Sequence, residues 1–151
     1  MIKGIIIQSG LFMLLSQPLS GQLNEDFSDG NFSVNPFWMG DTGYWTVENA
    51  ELRSAGPAIT PSVIYLPSPS SLAENCLWEF FDNPKTATSS GNFMDFVLIS
   101  DQANLKADFH GYLVRMGGTP DEVSLFRKDS DKFTKIIDGT DKLIAGSSDN
   151  P

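Results

Sequence analysis

The chain has a single cysteine, Cys76, and a single histidine, His110. One cysteine excludes an internal disulfide and any cysteine-rich zinc site. One histidine excludes a multi-histidine metal centre. Positive charge is also scarce, with 10 Lys+Arg against 19 Asp+Glu and a net charge of −9. A nucleic-acid binder needs the opposite balance, because neutralising phosphates takes a basic patch. No segment sustains an apolar period of 3.6 residues, and 13 Gly with 9 Pro work against long helices. What is present is a chain of 151 residues, 40% apolar and 19% charged. That composition excludes charge-driven disorder and a coiled coil, and the length suits one domain.

The segment Met1–Gly21 has the pattern of a secretory signal peptide. Lys3 precedes an apolar run through Ile5–Ile7 and Leu11–Leu15, and Pro18, Ser20 and Gly21 follow at the position of cleavage. Cleavage is expected before Gln22. Gln8 and Ser9 interrupt the run, which is too short for a span of about 20 residues. No second long apolar run follows, so no membrane insertion is expected after cleavage, and an exported location, secreted or at the cell surface, is.

From residue 22 onward, short apolar runs alternate with turn residues, an all-β pattern. The expected strands are Tyr44–Val47, Glu51–Arg53, Ser62–Leu66, Cys76–Asp82, Asn92–Ser100, Gly111–Met116, Glu122–Lys128 and Lys132–Asp138. Gly56-Pro57, Pro67–Ser71, Asn83-Pro84, Gly117–Asp121 and Asp129–Asp131 supply turn chemistry between them. Phe93–Ile99 is apolar on both faces except at Asp95, which suits a central strand or one whose outer face lines a groove. Two stacked antiparallel sheets accommodate these patterns.

Catalytic patterns are missing. Glu79 and Asp82 stand three apart, so a strand would send them to opposite faces and not into one groove. No Gly-x-Ser-x-Gly elbow accompanies His110, which is expected to be a solvated edge residue. Cys76 and Trp78 are expected in the core. Asp26 and Asp29, with Asn31 nearby, are oxygen ligands that calcium could use, although their spacing does not meet the EF-hand template. No other cofactor is suggested. Trp38, Trp45 and Tyr65 are candidate platforms for stacking on sugar rings, set against the ordinary use of large aromatics as packing. Arg115 and Arg127 are candidates for cross-strand pairs with Glu79, Asp95 or Glu122.

Several stretches carry a family resemblance. They are Asp26-Phe27-Ser28-Asp29-Gly30-Asn31-Phe32, Trp38-Met39-Gly40-Asp41-Thr42, Trp78-Glu79-Phe80 and Leu98-Ile99-Ser100-Asp101. Gly111-Tyr112-Leu113-Val114-Arg115-Met116-Gly117-Gly118-Thr119, Asp121-Glu122-Val123-Ser124-Leu125-Phe126-Arg127 and Ile136-Ile137-Asp138-Gly139 complete the series. In this order they resemble the N-terminal module of large exported Bacteroidetes proteins, similar to the concanavalin A-like lectin/glucanase superfamily with its laminin-G-like relatives. The resemblance implies an antiparallel two-sheet jelly-roll sandwich over residues 22–151. It also implies further strands beyond Asn150-Pro151, hence a domain incomplete at its C-terminus. The implied role is a non-catalytic module of a larger multidomain protein, contacting a polysaccharide or cell-surface glycan, adhesive, or serving as a spacer. The alternatives are a remnant of a secreted polysaccharide hydrolase and a purely structural module.

Overall fold

The computed structural model describes residues 23–55, 63–68, 70 and 76–144. The expected Met1–Gly21 leader, the Gln22 cleavage point and the Gly56-Pro57 turn lie outside them. The described chain is almost entirely β, in two antiparallel sheets, an arrangement consistent with a sandwich. After a single 3-10 turn at Thr42–Tyr44 come β1 (Trp45–Glu48) and β2 (Glu51–Ser54), which form a two-stranded sheet. Then β3 (Phe93–Ser100), β4 (Phe109–Gly117), β5 (Glu122–Ser130) and β6 (Lys132–Ile137) form a four-stranded meander in chain order.

The β1–β2 turn follows from the twist of its strands. Asn49 (φ 54°) and Ala50 (φ 58°) are both left-handed, as a two-residue hairpin loop requires. Asn adopts this conformation readily, and Ala50 occupies a place where glycine is usual. Glu48 and Glu51 face each other across the ladder. Arg53 bonds both, at 3.2 and 3.1 Å, and offsets their repulsion.

The larger sheet has one sheltered face and one open face. On β4, Phe109, Gly111, Leu113, Arg115 and Gly117 point to the sheltered side. Opposite them β5 presents Ser130, Lys128, Phe126, Ser124 and Glu122. Only Phe109 (3% exposed) and Leu113 (1%) are fully buried hydrophobics among the described residues. Lys128 completes this core by laying its stem inward. Its Nζ sits 4.2 Å from the Phe109 ring centroid and donates to the Ser130 carbonyl at 2.6 Å. On the open face, Phe80 stacks on Phe96 at 3.8 Å, while Tyr112 and Met94 stay exposed.

Three expectations are corrected. Val63–Leu66, the described part of the expected strand Ser62–Leu66, is not a strand, although it pairs locally. Asp41 N–H donates to the Tyr65 carbonyl and Met39 N–H to that of Pro67. The Tyr65 N–H instead donates to the Asp41 carboxylate at 3.1 Å, and a side chain thereby replaces the next ladder bond. Cys76–Asp82 is not a strand either. Phe80 of this segment packs against a sheet face, and Trp78 is 42% exposed, outside the core. Finally, β3 is an edge strand among the described residues, so of the two options for Phe93–Ile99 the central strand falls and the groove-lining one stays open. Its apolar residues serve the sheet's two faces without a further neighbouring strand.

Gly111 illustrates why the meander needs its glycines. The β3–β4 register slips between Val97 and Ile99, and a Cβ on Gly111 would overlap the Ile99 carbonyl oxygen. Gly111→Ala is therefore expected to lower stability by about 1–3 kcal/mol or more. Urea unfolding followed by circular dichroism checks this, and an unchanged midpoint would refute the close approach.

Candidate functional site

At the β4–β5 end of the sheltered face lies an open cavity of about 240 Å³. Phe93, Arg115, Glu122, Ser124, Phe126 and Lys135 line it, together with the Gly117-Gly118-Thr119-Pro120 loop. The loop is shaped by positive φ at Gly117 (99°), Gly118 (84°) and Asp121 (55°). It is tied down by a hydrogen bond from the Thr88 hydroxyl to the Asp121 carboxylate.

Strand alternation brings the lining side chains together. Arg115 stands opposite Asp95 on β3 and Ser124 on β5. Its Nε and Nη2 donate to the two Asp95 oxygens, both at 2.7 Å, in a bidentate pair. The guanidinium also lies 3.8 Å from the Phe93 ring centroid and 5.2 Å from those of Phe126 and Phe133. Lys135 bonds the Glu122 carboxylate and, at 2.5 Å, the Asp138 carboxylate. The Ser124 hydroxyl oxygen accepts from Gly139 N–H at 3.2 Å.

Glu122 is the unusual member. It is 3% exposed, and although Oε1 meets Lys135, Oε2 is buried with no hydrogen-bond partner among the described residues. Such an unsatisfied acceptor costs on the order of 1–3 kcal/mol. The cavity thus combines aromatic faces, an ion-paired cation and a buried oxygen lacking a donor.

No family model matches the chain, and no curated protein or solved structure matches it either.

The sequence-derived candidates lie elsewhere. Trp38 packs against Phe27 with ring centroids 6.2 Å apart. Trp38 and Trp45 are half-buried, and both have buried indole nitrogens without hydrogen-bond partners among the described residues. Tyr65 lies beneath Lys106, whose Nζ is 5.4 Å from the ring centroid and 2.7 Å from Asp41 Oδ2. This contact fastens the Asp41–Tyr65 region to the β3–β4 connection. Asp26 and Asp29 are engaged as turn caps: Asp26 Oδ1 accepts from Ser28 N–H and Asp29 Oδ1 from Asn31 N–H, each at 3.0 Å. The Ser28 hydrogen bonds hold the Asp26 carboxyl below its usual range. No group of three or more His, Cys, Asp or Glu residues positioned for a metal occurs among the described residues.

Of the cross-strand pairs considered, Arg115–Asp95 forms, while Arg127 turns to Asp129 at 2.7 Å on the opposite face. His110 is exposed, and its Nδ1 lies 3.1 Å from Asp101 Oδ2. The backbone N–H of His110 does most to hold the Asp101 carboxyl below its usual range. The pocket itself was missed. Its available signal was polar and charged residues at inward positions of β5, namely Glu122, Ser124 and Lys128. Lys135, two strands from Arg115, carried no signal by itself.

Two predictions test this geometry. The hydrogen bond from Lys135, supported by its charge, holds Asp138 below its ordinary 3.8, and the same contacts raise Lys135 above 10.5. A depressed carboxylate contributes stability that is present above 3.8 and lost as pH falls through its folded pKa. The raised lysine contributes stability that is present below 10.5 and lost as pH rises through its folded pKa. In an NMR titration the Asp138 midpoint should lie below 3.8 and climb towards it in Lys135→Met. An Asp138 midpoint indifferent to that change would mean the pair does not form. Second, because the Asp26 and Asp29 oxygens already cap turns, millimolar calcium or its chelation should leave the thermal midpoint unchanged. A rise of several degrees with calcium would support the metal reading of Asp26 and Asp29.

Proposed function

We propose that the chain is an exported, non-catalytic β-sandwich module of jelly-roll type that contacts glycan, acting in adhesion or substrate attachment within a larger cell-surface protein. The single observation that carries this reading is the cavity on the four-stranded sheet, lined by Phe93, Phe126, Arg115 and Glu122, the last with a buried oxygen that has no donor among the described residues. Sugar rings suit such a place. Their apolar C–H faces rest on aromatic rings, and their hydroxyls both donate to a carboxylate and accept from a guanidinium. Arg115 has that capacity, since Nε and Nη2 are committed to Asp95 and no hydrogen bond from Nη1 is formed among the described residues. About 240 Å³ accommodates a single ring, so recognition would be of one residue of a longer glycan.

A purely structural module is the second reading. It is favoured by the half-buried rings of Trp38 and Trp45, whose indole nitrogens are buried, as they would be in side chains used for packing.

The test is a glycan-array screen of the purified chain, with Phe126→Ala in parallel. Specific binding is expected, reduced roughly three- to tenfold in Phe126→Ala, with circular dichroism showing the variant folded. A folded protein that binds no glycan would leave the structural module as the better account.

A further inference from the structure

Resting on the glycan reading of this cavity, we infer that the pocket selects uncharged sugars over acidic ones, and that Glu122 is the residue setting that selectivity. The cations of the pocket already have their charges matched by carboxylates. Unpaired, Arg115 and Lys135 would attract a carboxylate. Arg115, however, is neutralised by the bidentate Asp95 pair, and Lys135 is shared between the Glu122 and Asp138 carboxylates. Three carboxylates thus surround two cations, and the unanswered charge is negative.

Glu122 then decides the sign of what can enter. Its carboxylate lines the cavity, is almost wholly removed from water, and has one oxygen without a donor among the described residues. The terminal torsion of a glutamate is soft, so the carboxyl plane can turn to meet an entering group. A hydroxyl satisfies Oε2 by donating to it. A uronate carboxylate has no proton to give at neutral pH, and it would bring a like charge against a poorly hydrated one. Ser124, beside Glu122 in the lining, uses its oxygen to accept from Gly139 N–H and is itself almost wholly buried. The pocket therefore offers an acceptor on Glu122 and a donor on the charge-paired Arg115, which matches neutral hydroxyls and opposes acidic groups.

Glu122→Gln isolates this charge. Glutamine keeps the shape and can hold its carbonyl oxygen towards Lys135, placing an amide N–H₂ where Oε2 stood. That exchange converts the buried acceptor without a donor into a donor and removes the opposing charge.

Saturation-transfer NMR on the purified chain at pH 7 would compare methyl glucoside and methyl galactoside with the corresponding methyl uronides. Glucosamine is included as the ammonium-bearing arm. The neutral glycosides are expected to bind at least tenfold more tightly than their uronides, and Glu122→Gln to close or reverse that gap. Uronides bound as well as neutral sugars by the natural chain would overturn the inference while leaving the glycan reading standing. A preference for glucosamine over both neutral sugars that is lost in Glu122→Gln would support Glu122 as the residue that sets the sign of the ligand. A folded Glu122→Gln protein with the natural discrimination would remove Glu122 from the role. If no sugar of any charge binds, the glycan reading falls and the inference with it. The comparison on the natural chain does not depend on how well the variant folds.

Discussion

The sheltered face of the four-stranded sheet depends on one guanidinium. Arg115 on β4 grips Asp95 on β3 through two hydrogen bonds and lies over Phe93 of that strand. It also reaches Phe126 on β5 and Phe133 on β6. A single planar cation thereby connects all four strands. Arginine suits this work because its fork matches a carboxylate while its flat faces stack on rings. With side chains of Arg115 and Asp95 only 21% and 24% exposed, the pair is partly removed from solvent screening. Removing either partner would strand the other charge in that setting.

This reliance follows from how little conventional core there is. Phe109 and Leu113 alone among the described hydrophobics are fully buried, and charged stems and aromatic rings cover the rest of the face. Lys128 over Phe109 repeats the Arg115 arrangement in simpler form, its cation on a ring and its head satisfied by a carbonyl. Meanwhile large apolar side chains stay in the open elsewhere, with Leu77 and Phe81 each 82% exposed. Three of the chain's ten cations gather on the sheltered face, while the acidic excess gives the chain its negative sign. The pocket inherits both features. It is built of ion pairs rather than pure hydrocarbon, and its cations are already spoken for by carboxylates.

Smaller contacts serve position rather than bulk stability. Lys106 joins Asp41 and Tyr65 to the β3–β4 connection. Arg53 relieves the facing Glu48 and Glu51 of the hairpin, an exposed arrangement whose energetic worth is small. Thr88 anchors Asp121 at the rim of the cavity, and Gly117 leaves room for its methyl group. These contacts hold the loop that closes one side of the pocket.

The sequence by itself determined the class of structure. Short alternating runs separated by Gly, Pro and Asx turns already required antiparallel β-structure, and β1, β2 and the β3–β6 meander form within a few residues of where that pattern puts them. Period-two alternation is local, so it survives whatever the rest of the chain does. It failed at Val63–Leu66 and Cys76–Asp82, because strand formation needs a partner edge, and a side-chain carboxylate or a sheet face can take that partner's place. The Arg115–Asp95 pair was legible as one option among several, since a charge inside an apolar run asks for a counter-charge. Only the tertiary structure decided which pair forms, and only it set Glu122, Lys135 and Asp138 together across two strands and a turn. A pocket is a relation between residues distant in the chain, and register and twist, not composition, bring them within reach of one ligand.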